Sequence, residues 1–316
     1  MAIYLTGSLA YDRIMNFAGL FSNSILPESL ENLSVSFFIH NLTERYGGVA
    51  GNVAYTLALL DEKPLIVAAA GKDFDQYANT LQKMGLSTEG ITIIHDQLTA
   101  SAYIFTDEKN NQITAFHAAA LAFPASYTFP NMNTGQDIAH IGATNPQDMR
   151  EHALLYAEKG VPYIFDPSQQ LPVLTDEYLR EAIDGAYLVM GNKYEITLMA
   201  KRLEFTVEEL ANRCQRGVIM THGEHGSTIF EKGEVPLSIQ AVGIQEVQDP
   251  TGAGDSYRAG VIKGLLADLP LEVCCRLGAT CAAYCIEQKG SQTHTFTLDS
   301  FSQRYENTFG NASFPL

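Results

Sequence analysis

The stretch Asp249-Pro250-Thr251-Gly252-Ala253-Gly254-Asp255-Ser256 brings together residue types that can hold an anion and take a proton. The small side chains of Gly252, Ala253 and Gly254 leave their backbone N–H groups open. From Tyr257 to Leu266 apolar and small residues recur at helical spacing, so a helix is predicted to begin near Ala253. The first N–H groups of a helix lack intrahelical partners, and together with the macrodipole they favour phosphate. Asp255 falls in that first turn, where the dipole favours a carboxylate and predicts an ionised side chain at neutral pH. An aspartate beside such a cradle can accept the proton of an attacking hydroxyl during phosphoryl transfer. Read purely as structure, the same residues make a loop-to-helix turn.

A second stretch, Gly47-Gly48-Val49-Ala50-Gly51-Asn52-Val53-Ala54, opens another predicted helix that continues to Leu60. Adjacent glycines let backbone approach a ligand closely, and Asn52 can both donate to and accept from hydroxyls. As plain structure it is a flexible turn before a helix. Upstream, Met1 to Gly7 reads as a first strand running on through Ser8 to Asp12 and Arg13, which break the apolar run. A carboxylate at Asp12 can accept from two neighbouring hydroxyls at once.

These residues need a scaffold, and the chain alternates strand and helix patterns. Strands are predicted at Leu65–Ala69, Ile138–Ile141, Val161–Phe165, Ala186–Met190 and, as the last of the sheet, Gly217–Thr221. Helices are predicted at 74–84, 149–158, 176–183, 271–288 and 297–305. This order implies an α/β fold with a mostly parallel central sheet, helices on both faces and ligands at the carboxyl ends of the strands. Two stretches carry strand patterns without helices: Arg13–Phe17 with Ser34–Ile39, and Ser101–Thr106 with Gln112–His117 across a polar turn at Asp107 to Asn111. They are expected to form a small β-sheet outside the main one, or edge strands of it. The expected division is 1–11, 47–98 and 119–316 for the α/β part and 12–46 with 99–118 for the small sheet.

Three loops after predicted strands carry further candidates. Asp166-Pro167-Ser168-Gln169-Gln170 offers two amides that could read hydroxyls or a base edge. Asn192 and Glu195 are spaced as a capping box, as are Thr206 and Glu209. Thr221 is followed by Gly223 and Gly226, with His222 and His225 between them but no third ligand for a metal. The five cysteines, Cys214, Cys274, Cys275, Cys281 and Cys285, lack zinc spacing, and four share one predicted helix face, so buried thiols in a reducing compartment are expected.

Composition narrows the function. With 316 residues, 46% of them hydrophobic, the chain can bury one large core. A formal charge of −16 argues against a polymer of nucleic acid held on a broad basic surface. No leader pattern opens the chain and no apolar run approaches the roughly 20 residues that span a bilayer, so a cytoplasmic location without membrane partners is expected.

The Asp249 to Ser256 stretch resembles the C-terminal signature of the ribokinase-like, or phosphofructokinase-B, family of carbohydrate and nucleoside kinases, with Pro250 where that motif usually has Thr. Gly-Gly-x-Ala-Gly-Asn-x-Ala resembles its N-terminal signature, and the two occur in the family's order. The resemblance implies a ribokinase-like fold with a discontinuous β lid, and phosphorylation of a primary hydroxyl by ATP with Mg2+. It assigns the sugar to Ser8, Asp12, Gly47, Gly48 and Asn52, the base to Asp255 and the anion cradle to Gly252, Ala253 and Gly254. It assigns nucleotide contacts to Asn192, Thr221, Gly223 and Gly226, a magnesium-bound water to Glu195, and allows a monovalent cation such as K+ beside Asp249 and Thr251. The opening residues, Asp166 to Gln170 and Gln112 to Phe116 resemble bacterial adenosine kinases most, with Gln169 and Gln170 toward the nucleoside. A purine needs a flat apolar slot, for which Phe116, Phe105 or Phe38 is available. A ribokinase or fructokinase type of sugar kinase, or a non-catalytic sugar- or nucleotide-binding regulator, is the alternative. A P-loop enzyme is not expected, because no Gly-x-x-x-x-Gly-Lys-Ser/Thr stretch exists.

Overall fold

Apolar runs that alternate inward and outward on both faces dictate a sheet sandwiched between helices, and that is the architecture of the computed structural model. It describes residues 1–25, 31, 33–109, 111–129 and 132–310. In chain order the strands are β1 (Ile3–Thr6), β2 (Ala10–Phe17), β3 (Ile39–Gly47), β4 (Leu65–Gly71), β5 (Ile91–Ile94), β6 (Ala100–Thr106), β7 (Gln112–His117), β8 (Ile138–Ile141), β9 (Tyr163–Phe165), β10 (Leu188–Asn192), β11 (Gly217–Thr221), β12 (Ser227–Glu231) and β13 (Leu237–Ile239). The helices are α1 (Phe21–Ser24), α2 (Val49–Leu59), α3 (Asp75–Lys83), α4 (Pro146–Lys159), α5 (Asp176–Gly185), α6 (Lys193–Leu203), α7 (Val207–Arg213), α8 (Ala253–Leu266), α9 (Leu271–Ile286) and α10 (Leu298–Phe309).

The large sheet has nine strands in the order β13-β12-β11-β10-β9-β8-β1-β4-β5, parallel from β5 to β11. Successive residues of each strand feed opposite cores. Leu5, Ile66, Ile164 and Met190 pack with α2, α3, α8 and α9, while Tyr4, Ile141, Phe165 and Val189 pack with α4 to α7. Burial on both faces is what a parallel sheet with crossover helices requires. One expectation fails here: Gly217–Thr221 is not the last strand, because β12 and β13 add an antiparallel edge. Their short, partly exposed sequences lack the apolar run that marks a central strand.

The second sheet has four strands in the order β3-β2-β6-β7. A strand over Ser34–Ile39 is not formed; β3 starts only at Ile39 and runs to Gly47, since the ladder with β2 begins at Phe17 and Ile39. The expected hairpin of β6 and β7 is present, although Asn110 of its turn lies outside the described residues. The rungs nearest the large sheet pair Ala10 with Gly47 and Ala100, and Asp12 with Arg45 and Ala102; Ala102 in turn pairs with Phe116. Alternation therefore puts Asp12, Arg45 and Phe116 on one face, and Met15, Phe105 and Ile113 on the other.

Candidate active site

Two helix N-termini converge at the carboxyl edge of the large sheet. α8 begins at Ala253 as expected, with Gly252 as N-cap in the left-handed region (φ 81°), where a Cβ would also lie 2.4 Å from Ser291 Cβ. α2 begins after Gly48 (φ 89°), whose missing side chain lets the turn pass 2.5 Å, measured from an ideal Cβ, from Ser8 O. Ser8 closes this start: its hydroxyl accepts from Val49 N at 3.0 Å and its carbonyl from Ala50 N. The first turns are tied together, for Asn52 Nδ2 donates to Asp255 Oδ2 at 2.8 Å, and Asn52 Oδ1 accepts from Gln292 Nε2 at 2.9 Å. Gln292 also donates to Tyr77, whose hydroxyl donates to Gly47 O. Asn52 thus spends most of its amide on orienting Asp255, with one Nδ2 hydrogen left for a ligand.

Around this pair lies a cleft of about 290 Å³ lined by Ser8, Asp12, Gly48, Asn52, Phe116, Gln169, Gly252, Gly254 and Asp255, among others. Gly47 borders it indirectly, since a Cβ there would meet Asp12 Oδ2 at 2.9 Å. Gln170, assigned above with Gln169, is not among the lining residues; both lie in a 3-10 turn, which sends neighbouring side chains in different directions. Phe38 and Phe105 are not there either. Phe105 is on the opposite face of its sheet, against Phe37, and Phe38 is exposed outside any strand.

The carboxylates feel one another. Burial raises the pKa of Asp12 to about 6, helped by Asp249 and Asp255 and opposed by Arg45. Asp255 is also shifted upward: burial acts first, against the lowering by Arg258 and the Asn52 hydrogen bond. Desolvation therefore makes Asp255 harder to ionise than its place in the first turn of α8 alone predicts. Arg45 reaches from β3 toward the loop before α8, its Nη1 3.5 Å from Asp249 Oδ2. Asp249 further accepts from Thr251 N and Gly290 N, both at 3.0 Å.

On the other side of the α8 tip is a larger cavity of about 630 Å³. Thr221, Gly223 and Gly226 form one end, Ala253 and Gly254 the middle, and Val242, Ile244, Val247, Ala279, Ala282, Ala283 and Ile286 the rest. Gly254 borders both cavities. Thr221 and Gly223 also border a third hollow with Asn192, Lys193, Tyr194, His222 and His225. Asn192 and Glu195 form a capping box, with Asn192 N donating to Glu195 Oε2 at 2.8 Å. Glu195 also accepts from Ser168 Oγ, at 3.4 Å, and burial followed by Asp166 pushes its pKa up.

Sequence reasoning missed the buried group beneath this floor. Arg258 Nη2 donates to Asp166 Oδ1 at 2.7 Å, Arg258 Nε donates to Asp166 Oδ2, and His140 Nε2 lies 3.4 Å from that same Oδ2. Asp166 is 0% exposed; against the cost of burial, Arg258 holds its pKa below the usual carboxylate range. An arginine in a small-residue helix following a glycine-rich tip was the available signal. The five cysteines are free and buried, and Cys285 Sγ packs behind the cradle against Thr251 O at 3.5 Å.

A two-sheet α/β molecule whose glycine-lined helix tip separates an apolar cavity from a carboxylate-bearing cleft has the form of a small-molecule kinase. The pfkB family carbohydrate kinase profile matches residues 9–297, and the chain belongs to that family. The nucleoside kinase of Methanocaldococcus jannaschii is 32% identical over 282 residues, covering 88% of this chain and 91% of the relative. Among solved structures, Burkholderia thailandensis nucleoside kinase in complex with inosine is 35% identical, with a TM-score of 0.83 and 98% of each chain covered. The same enzyme in complex with ADP-inosine is 34% identical at a TM-score of 0.82, covering 100% of this chain and 99% of that one.

Proposed function

We propose that this protein is an ATP-dependent nucleoside kinase that phosphorylates the 5′-hydroxyl, with adenosine, and then inosine, as the leading acceptors. The observation that carries this reading is the placement of Asp12 and Asp255 in one cleft whose wall, the α8 tip, is shared with the apolar cavity. Asp12 accepts from the ribose hydroxyls. Asp255, held by Asn52, takes the proton of the 5′-hydroxyl. The freed oxygen forms its bond to the γ-phosphorus as the bond to the bridging oxygen of ADP breaks, and the N–H groups from Gly252 to Gly254 meet the charge on the transferring group. The adenine of ATP fits the Val242, Ala279 and Ala283 cavity, with its phosphates toward Thr221, Gly223 and Asn192.

The lid supports a nucleoside over a free sugar. Alternation places Ile14, Ile104 and Ala102 on the face shared by Asp12 and Phe116, beside Arg45, Thr43 and Thr114, so Phe116 and its aliphatic neighbours offer a base an apolar patch among polar groups. The nucleoside kinases among the relatives point the same way.

Mg2+ fits this site through water. Among the described residues no three acidic, His or Cys side chains gather as a metal cage, whereas Glu195 keeps lone pairs beside its capping bonds. The ion would screen the phosphate oxygens, with Glu195 orienting its water. A monovalent cation beside Asp249 fits poorly, because Arg45 already meets that charge and backbone N–H groups bond both oxygens. Among the described residues no helix is long and apolar enough to cross a membrane; a role in cytoplasmic purine salvage is part of the proposal.

A panel of adenosine, inosine, cytidine, ribose and fructose with magnesium ATP tests the proposal. Nucleosides are expected to drive ADP formation at least tenfold faster than either free sugar. Ribose or fructose outpacing every nucleoside would overturn it in favour of a sugar kinase.

A further inference from the structure

We propose that Arg258 is a positioning residue for phosphoryl transfer: its guanidinium, clamped by Asp166 under the α8 tip, fixes a positive charge against both the anion cradle and the base. The inference rests on the kinase reading above and assigns work to residues outside the two cavities.

Arg258 comes three residues after Asp255, so both emerge on one side of α8, and helical side chains lean toward the N-terminus. The guanidinium is thereby folded back beneath the first turn. An ideal Cβ on Gly254 would lie 2.5 Å from Arg258 Nη1, which makes that nitrogen the near neighbour of the cradle. Asp166 engages Nε and Nη2, and among the described residues Nη1 donates to no protein acceptor. Its hydrogens are left on the side of Gly254, the one residue that borders both cavities.

Three carboxylates face this cation: Asp166 just after β9, Glu195 in the first turn of α6 and Asp255 in the first turn of α8 itself, while His140 on β8 meets Asp166 from its other side. The charge of Arg258 favours the ionised forms of Asp166, Asp255 and Glu195 alike. One buried cation therefore connects the base, the cradle and the carboxylate proposed to orient magnesium-bound water.

Stability alone is a weak reason for such an arrangement, because a buried ion pair is often matched or exceeded by apolar residues of similar volume. Placement is the better reason. Negative charge spreads over the transferring group and its oxygens, and a fixed cation in a low-dielectric setting stabilises it without reorganisation. The buried Asp166 holds the guanidinium in place, where an unclamped arginine would swing into solvent or pair directly with Asp255.

The test compares Arg258→Lys, Asp166→Asn and the double variant Arg258→Met/Asp166→Asn with the parent protein, reading kcat, both KM values and thermal melting. The double variant removes the charge without stranding Asp166. It is expected to lose at least 30-fold in kcat while each KM moves less than threefold, and Arg258→Lys is expected to keep kcat within about fivefold of the parent. A folded double variant with parental kcat overturns the proposal, as does a Lys variant as impaired as the double one. Should the double variant not fold, Asp166→Asn decides: a freed guanidinium is expected to lower kcat without raising KM, and unchanged kcat overturns the clamp. If the parent phosphorylates nothing in the panel, the kinase reading fails, and phosphoryl transfer to water, read as release of ADP and phosphate from ATP in the same variants, still decides the role of Arg258.

Discussion

The two cavities that meet at the α8 tip are built from opposite kinds of residue. The smaller cleft carries the carboxylates of Asp12 and Asp255, the amides of Asn52 and Gln169 and the hydroxyls of Ser8 and Ser168, with Asn52 bonded to Asp255. The larger is walled by alanines, glycines, valines and isoleucines with few polar groups. One side is specified by charge and hydrogen bonding, the other by absence of bulk. A hydroxyl-bearing acceptor is read by groups that lose much when unpaired, while a flat base is accepted wherever it fits. The two sides should therefore fail differently when perturbed.

The sharpest break is Asp255→Asn. Steady-state kinetics should show kcat lowered by roughly 10²-fold or more with both KM values nearly unchanged, since only the proton acceptor is lost. Next is Asp12→Asn, which removes charged hydrogen bonds worth about 1.5–3 kcal/mol; the acceptor KM should rise roughly 10- to 100-fold with the ATP KM unmoved. That variant should also be more stable at pH 7. Asp12 binds its proton more readily folded than unfolded, with a pKa raised from 3.8 to about 6, so its charge costs stability above pH 6 and that cost fades as pH falls toward 4. The relief is on the order of 2 kcal/mol, visible as a higher melting temperature.

A third expectation follows from the same shift. With the ionised form required for binding, kcat/KM for the acceptor should fall about tenfold per pH unit below pH 6, and the loss should be blunted in Asp12→Asn, measured on its own lower baseline. The smallest effect belongs to the apolar side. Ala282→Leu inserts bulk into the larger cavity and should raise the ATP KM by about fivefold while leaving acceptor KM and kcat alone. Equal effects on both substrates would erase the distinction between the two cavities.

The same contrast decides what could be read from the sequence. Asn52 and Asp255 stand out as an amide and an acid following glycines at predicted helix starts, and Asp12 because with Arg13 it breaks an apolar run; the family resemblance, not the residue types alone, set them apart from ordinary turns. The apolar cavity is silent, since Val242, Ala279 and Ala283 have the composition of any core. The Arg258 and Asp166 pair is hidden differently: 92 residues separate its members, and only the fold brings β9 beside α8. Strands β12 and β13 escaped because edge strands need little apolar patterning, and Ser34–Ile39 misled because alternation without a partner strand does not make a ladder. Periodicity did locate α3, α9 and the central parallel strands, whose two-sided burial leaves continuous apolar runs, but not the half-buried edge strand β5.

Where Asp12 stands along β2 has a mechanical corollary. It is two residues past Ala10, on the second alternate rung from the large sheet, whereas Asn16 and Thr106 form a rung at the far tip. At about 3.3 Å per residue, a rocking of the four-stranded sheet by roughly 10° would carry the tip about 3 Å but Asp12 only about 1 Å. Asp12 is near the fulcrum of such a lever, so the grip on an acceptor proposed for it would be nearly complete before the outer sheet has finished travelling.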